Sequence, residues 1–295
     1  MTKNCRSASV ILVLLLVAMP ASSASADGTL SQADAAKLYP WSRHRVGYES
    51  LADRFAAPAG FRRVKVAKGS YAFWLRHLPL RAKMTPVRSY LGDTILDAGH
   101  PALAAVVDLD LSKRDRQQCA DTIMRLRGEY LHAAGKADQT HFRWAGGKYF
   151  GYKHWRKGLR PVKEGKRRWV FRPKSRARRG YAAFRRYLEF MFSWTGTQHQ
   201  AGERRIRDAA SLVAGDFFVQ GGSPGHAVVV IDIVENDSGH RRAIIGQGFM
   251  PAQDLHLMKG PSGSPWIDIS PHLKSIPTPI WPQAFSFSDL RRFRY

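Results

Sequence analysis

The sequence predicts an α+β protein in which a long amphipathic helix packs on an antiparallel sheet. The helix is read from Cys119, Ile123, Leu126 and Tyr130, apolar positions that recur at helical spacing and bury one face. The sheet is read from three strand-like stretches, 216–220, 226–234 and 241–247. They are separated by Gly221-Gly222-Ser223-Pro224-Gly225 and by Asn236-Asp237-Ser238-Gly239, which are turn formers. A chain of 295 residues that is 44% hydrophobic and 11% aromatic can bury a substantial core, which excludes disordered and collagen-like sequence.

Taken in order, residues 1–26 carry a basic start (Lys3, Arg6), an apolar run from Val10 to Met19 and Ala24-Ser25-Ala26. This is the pattern of a secretory signal peptide cleaved after Ala26, and the run is too short to span a bilayer. Export to a periplasmic or extracellular location is therefore expected. Residues 27–295 are expected to form a single domain. Residues 31–58 look helical and polar, 61–80 carry short β-like aromatic segments, and 102–111 read as a mostly buried strand. Ser112 with Asp115 reads as a capping box opening a helix of about twenty residues that ends at Gly135, which puts Cys119 in the second turn. Further helices are expected over 181–192 and 199–212, and the Pro- and Ser-rich tail 260–295 as an extended wrap.

The charge is unusual: 47 Lys and Arg against 23 Asp and Glu give a net charge of +24. Sixteen of these cations, with one acid (Glu164), fall in 148–186, interleaved with aromatic residues. The segment reads as an insertion that grips an anionic envelope polymer or membrane surface, with Trp155, Arg156, Lys157, Arg167, Arg168 and Trp169 as substrate-binding candidates. A solvated basic loop is the plain alternative. Nothing marks a specific nucleic-acid fold, and with no nucleotide loop or zinc spacing, no cofactor is expected.

Export removes Cys5 and leaves Cys119 as the one cysteine, a thiol either packed and inert or kept for its chemistry. His226 opens a strand after a Pro-Gly turn, so its backbone is fixed and its ring sits at the sheet end. Pairing about the 236–239 turn places Gln247 opposite Val228 and beside His226, within cross-strand reach. A thiol needs a base, and the base needs a group that fixes its tautomer; Cys119, His226 and Gln247 supply those types in order. His256, with Asp254 and Gln253, is an alternative orienting group, and Gln117 or Gln118 an oxyanion donor. Asp108 and Asp110 form a D-x-D that could hold a divalent metal. Arg125, Arg127 and Glu129 read as surface ion pairing.

The run Gly215-Asp216 … Gly225-His226-Ala227-Val228-Val229-Val230 resembles the His block of papain-like cysteine hydrolases of the NlpC/P60 and CHAP type. The resemblance implies a papain-like Cys helix against an antiparallel sheet, with Cys119 as nucleophile, His226 as general base and acid, and Gln247 orienting. It also implies hydrolysis or transfer at an amide or ester, peptidoglycan peptides among them. A second resemblance, over roughly residues 38–293, is to an exported bacterial family catalogued as domain of unknown function 4846. It is carried by 72–80, 117–121, 124–131, 220–227 and 250–256. Three readings stand at this stage: an envelope thiol hydrolase or acyltransferase, a non-catalytic polyanion binder using 148–186, and a metal-dependent glycan enzyme at Asp108 and Asp110.

Overall fold

The structure, a computed structural model, describes residues 30–42, 48–147, 149–165, 168–270 and 272–294. The expected signal peptide with Cys5, and Lys148 and Arg167 of the basic segment, lie outside them. Among the described residues no helix is long and apolar enough to cross a membrane.

The molecule is a mixed helix and antiparallel-sheet assembly. In chain order, the elements that build the site are α1 (Tyr71–Arg76), β1 (Leu103–Val106), α2 (Cys119–Ala133), β2 (Leu159–Glu164), β3 (Arg168–Pro173) and α3 (Tyr181–Phe192). These are followed by β4 (Phe217–Gln220), β5 (His226–Glu235), β6 (Arg241–Gln247), β7 (His256–Met258) and β8 (Leu290–Arg292). The main sheet runs β1-β7-β6-β5-β4-β8 and continues to a short strand at Arg204–Arg205. Arg62–Arg63 pairs with β5, and Ile267–Asp268 with β6.

Strand alternation divides the core. Ala227, Val229 and Ile231 face the helical layer with Ile123, Met124 and Leu126 of α2. Val228, Val230 and Ile233 face the other way, onto Ile269, Ile276 and Phe285 of the C-terminal tail. Because β5 is covered on both faces it reads as a near-continuous apolar run rather than an alternating one.

Several sequence expectations are corrected. The long helix begins at Cys119, not near Lys113: Gln118 is its N-cap, and its backbone N–H donates to Asp121 Oδ2 at 3.2 Å. Asp115, expected in the capping box, instead accepts from Gln118 Nε2 (3.0 Å) and from Ala252 N–H (2.7 Å), pinning the 250s loop to the chain before Cys119. Residues 71–76, read as β-like, are the helix α1, because Ser70 accepts from Phe73 N–H and buries Trp74 and Leu75. The strand at 102–111 stops at Val106, where Asp108 and Asp110 turn away to arginines. The helix over 199–212 reduces to the turn Thr197–Gln200 and a 3-10 turn, since Arg204–Arg205 pairs with β8.

Candidate functional site

The site is built at the sheet end where β5 begins and β6 ends, against the first turn of α2. Opposite residues pair Val229 with Gly246 and Val230 with Ile245, and this register puts Gln247 across from Val228 and beside His226. Toward the hairpin turn a bulge between Val230 and Asp232 changes the register. The turn before His226 is closely packed: a Cβ on Gly225 would lie 2.4 Å from Thr197 Oγ1 and 2.7 Å from Gln220 O, so only glycine fits.

His226 Nε2 lies 2.7 Å from Gln247 Oε1, Gln247 Nε2 lies 3.1 Å from His256 Nε2, and His256 Nδ1 lies 3.0 Å from the Asp254 carbonyl. This chain fixes both tautomers. A carbonyl only accepts, so His256 Nδ1 carries the hydrogen and, in the neutral ring, Nε2 accepts from the Gln247 amide. Gln247 Oε1 then takes the hydrogen of His226 Nε2, which leaves His226 Nδ1 with its lone pair. Both rings are neutral near pH 7. Burial pushes His226 down to about 4, against a smaller upward pull from Gln247, and burial does the same to His256. The aromatic cover that causes this consists of Phe249 and Trp281, with ring centroids 4.6 and 4.9 Å from His226, and Phe285 at 6.1 Å. Trp281 is held there by donating to Gln220 Oε1 at 2.7 Å.

Cys119 is the first residue of α2 and is buried. Nearby backbone N–H groups of Ala227, Ala120 and Cys119 itself favour the thiolate, but burial and the neighbouring Asp121 outweigh them and push the thiol up to about 11. Cys119 lines a cavity of about 420 Å³ with Asp115, Arg116, Gln118, Thr197 and the 222–225 turn. Gln200 Nε2 donates to Ala120 O at 2.6 Å and ties the helix start to the cavity rim.

Other sequence candidates fall differently. Arg125 and Glu129 are not a surface pair; both are fully buried and lie 2.7 Å apart. Arg125 also donates to Gln117 Oε1 (2.7 Å), Asp110 O (2.9 Å) and Asp110 Oδ1 (2.6 Å), so it anchors the loop that leads into Cys119. Gln117 is thereby committed to Arg125, and Gln118 rather than Gln117 lines the cavity. The D-x-D pair is likewise engaged, Asp108 with Arg81 and Ser42, Asp110 with Arg125 and Arg185. No group of three metal-ligating side chains occurs among the described residues.

In the basic segment, β2 and β3 form an exposed hairpin. Trp155 is buried and stacks under Arg160 (4.1 Å), which corrects its expected role as a ligand contact. Trp169, partly buried, packs edge-on against Trp144 and Trp194, at 5.0 and 5.6 Å. Arg156 is held bidentately by Asp138 at the surface. Lys157 and Arg168 are exposed, Arg168 at 3.8 Å from Glu164. These candidates lie apart from the cavity at Cys119.

Trp281, Phe249 and Thr197 are site residues that sequence reading missed. Turn and tail sequence carries no periodic signal that could have placed them.

This geometry belongs to a chain whose residues 51–292 match the family described as domain of unknown function (4846); the protein belongs to that family. No curated protein matches it. No solved structure matches it either.

Proposed function

We propose that the protein is an exported thiol hydrolase or acyltransferase of the cell envelope, with a papain-like arrangement in which Cys119 attacks an amide or ester carbonyl. The observation that carries this reading is the chain Asp254 O, His256, Gln247, His226, which leaves a neutral imidazole with its Nδ1 lone pair free, next in the strand to Ala227, whose N–H lies near enough to Cys119 to favour its thiolate. The resting pair is neutral thiol and neutral imidazole. The S–H proton passes to His226 Nδ1 as the sulfur bonds to the carbonyl carbon, so no free thiolate is needed. The N–H groups of Cys119 and Ala120, unpaired within the helix at its first turn, stabilise the developing oxyanion. The imidazolium then protonates the leaving amine or alcohol as the C–N or C–O bond breaks. Water, deprotonated by His226, releases the acyl group and regenerates the thiol.

Turnover of peptidoglycan-derived peptides and p-nitrophenyl acetate tests the reading, with mass spectrometry for an acyl group on Cys119. Cys119→Ala abolishes adduct and turnover, and His226→Ala lowers acylation by about 10²–10⁴-fold. Full activity in both folded variants excludes it. The exposed hairpin favours one companion reading, recruitment to an anionic polymer or membrane surface. If the wild-type protein is inert toward every acyl donor while polyanion binding is strong, binding alone is the function.

A further inference from the structure

We propose that a second cavity, of about 870 Å³ at the opposite end of β4 from the Gln220 and His226 pair, binds a ligand that carries a phosphate group on an apolar body. Four arginines line it: Arg127, Arg204, Arg292 and Arg294. The one acid among the lining residues, Asp216, has both carboxylate oxygens taken by Arg292 at 2.5 and 2.7 Å, and Glu203, beside Arg294, accepts from Tyr149 at 3.0 Å.

Arg127 is the group that points to an anion. Its guanidinium carbon lies 5.0 Å from the Tyr71 ring and 5.4 Å from the Tyr130 ring, its buried Nε has no hydrogen-bond partner, and it makes no ion pair among the described residues. A half-buried guanidinium without a counter-ion is costly, and burial accordingly draws its pKa down. The Tyr71 hydroxyl is also buried without a partner. The turn at Gly215 is shaped around this ring: its φ of +97° and the 2.5 Å that would separate a Cβ from Tyr71 Cδ1 both require glycine. Phosphate offers several acceptor oxygens and two charges to planar forks, while Val213, Ala214 and Phe293 supply an apolar wall. The volume suits a small ligand rather than a polymer. The site shares no residue with the cavity at Cys119 and does not depend on that assignment.

Calorimetric titration of the mature protein with pyrophosphate, and with citrate as the carboxylate control, tests the site. The expected result is saturable one-to-one pyrophosphate binding that weakens at least about tenfold in Arg127→Gln and in Arg204→Gln. It should be unchanged in a Lys163→Gln/Arg168→Gln hairpin variant and in Cys119→Ala. Arg204 is exposed on a short edge strand, so its variant keeps the test decisive if Arg127→Gln fails to fold. Absence of saturable binding, or loss confined to the hairpin variant, overturns the site. Citrate binding as tight as pyrophosphate overturns the phosphate assignment.

Discussion

At the scale of residues, the candidate chemistry rests on two buried histidines kept neutral. Their folded pKa values of about 4 lie below the ordinary 6.5, so the unfolded chain binds protons first as pH falls. The stability this contributes is full above about pH 6.5 and is lost as pH drops through 4. The expected loss at pH 5 is about 2 kcal/mol per histidine, read by urea unfolding at pH 7 and 5, and His256→Leu should remove about half of the pH dependence. Gln247→Leu removes the acceptor that fixes the His226 tautomer; turnover should fall while far-UV circular dichroism stays unchanged. The His226 and Gln247 pair was legible in the sequence because turn residues bracket a two-strand register, and register determines which side chains meet. The buried Arg125 and Glu129 were not, since a charged i,i+4 pair reads as solvent-facing until tertiary packing covers it.

At the scale of elements, the site depends on where α2 starts. Ser112 and Asp115 imitate a capping box, but the chain between Asp110 and Gln118 is held out of helix by Arg125 and by the Asp115 contacts to Gln118 and Ala252. Starting at Cys119 puts the thiol in the first turn of the helix, where the helix dipole is strongest. Arg125→Leu leaves buried Glu129 with only Tyr181 at 3.1 Å and Arg185 at 3.3 Å, and is expected to cost about 3–5 kcal/mol, measurable by urea unfolding. Gly225→Ala, which collides with Thr197 and Gln220, should displace His226 and depress turnover more than stability.

At the scale of the whole molecule, two faces of one sheet divide the labour. The helical layer delivers the thiol, and the C-terminal tail delivers the aromatic cover that keeps His226 dry. The α+β class was legible because both periodicities are strong. The contribution of Trp281 was not, because contact between a tail and a strand some fifty residues earlier leaves no local pattern. The hairpin is a separate matter: Glu164 is shared by Arg168 and Arg172, which leaves the surrounding cations largely uncompensated. Replacing Lys163, Arg168, Arg172 and Lys174 by Gln should weaken binding to anionic vesicles by about 1 kcal/mol per residue, with acylation of Cys119 unchanged. Vesicle sedimentation at two salt concentrations checks it.

The central claim, that His226 Nδ1 takes the Cys119 proton during attack, is tested most directly by the pH dependence of Cys119 acylation by p-nitrophenyl acetate in the wild-type protein and in His226→Ala. With the imidazole near 4 and the thiol near 11, the account predicts a wild-type rate that is flat from pH 6 to 9 and far slower in the variant. A rate that rises about tenfold per pH unit across that range, equally in both proteins, would mean that a bare thiolate reacts without His226 and would contradict it.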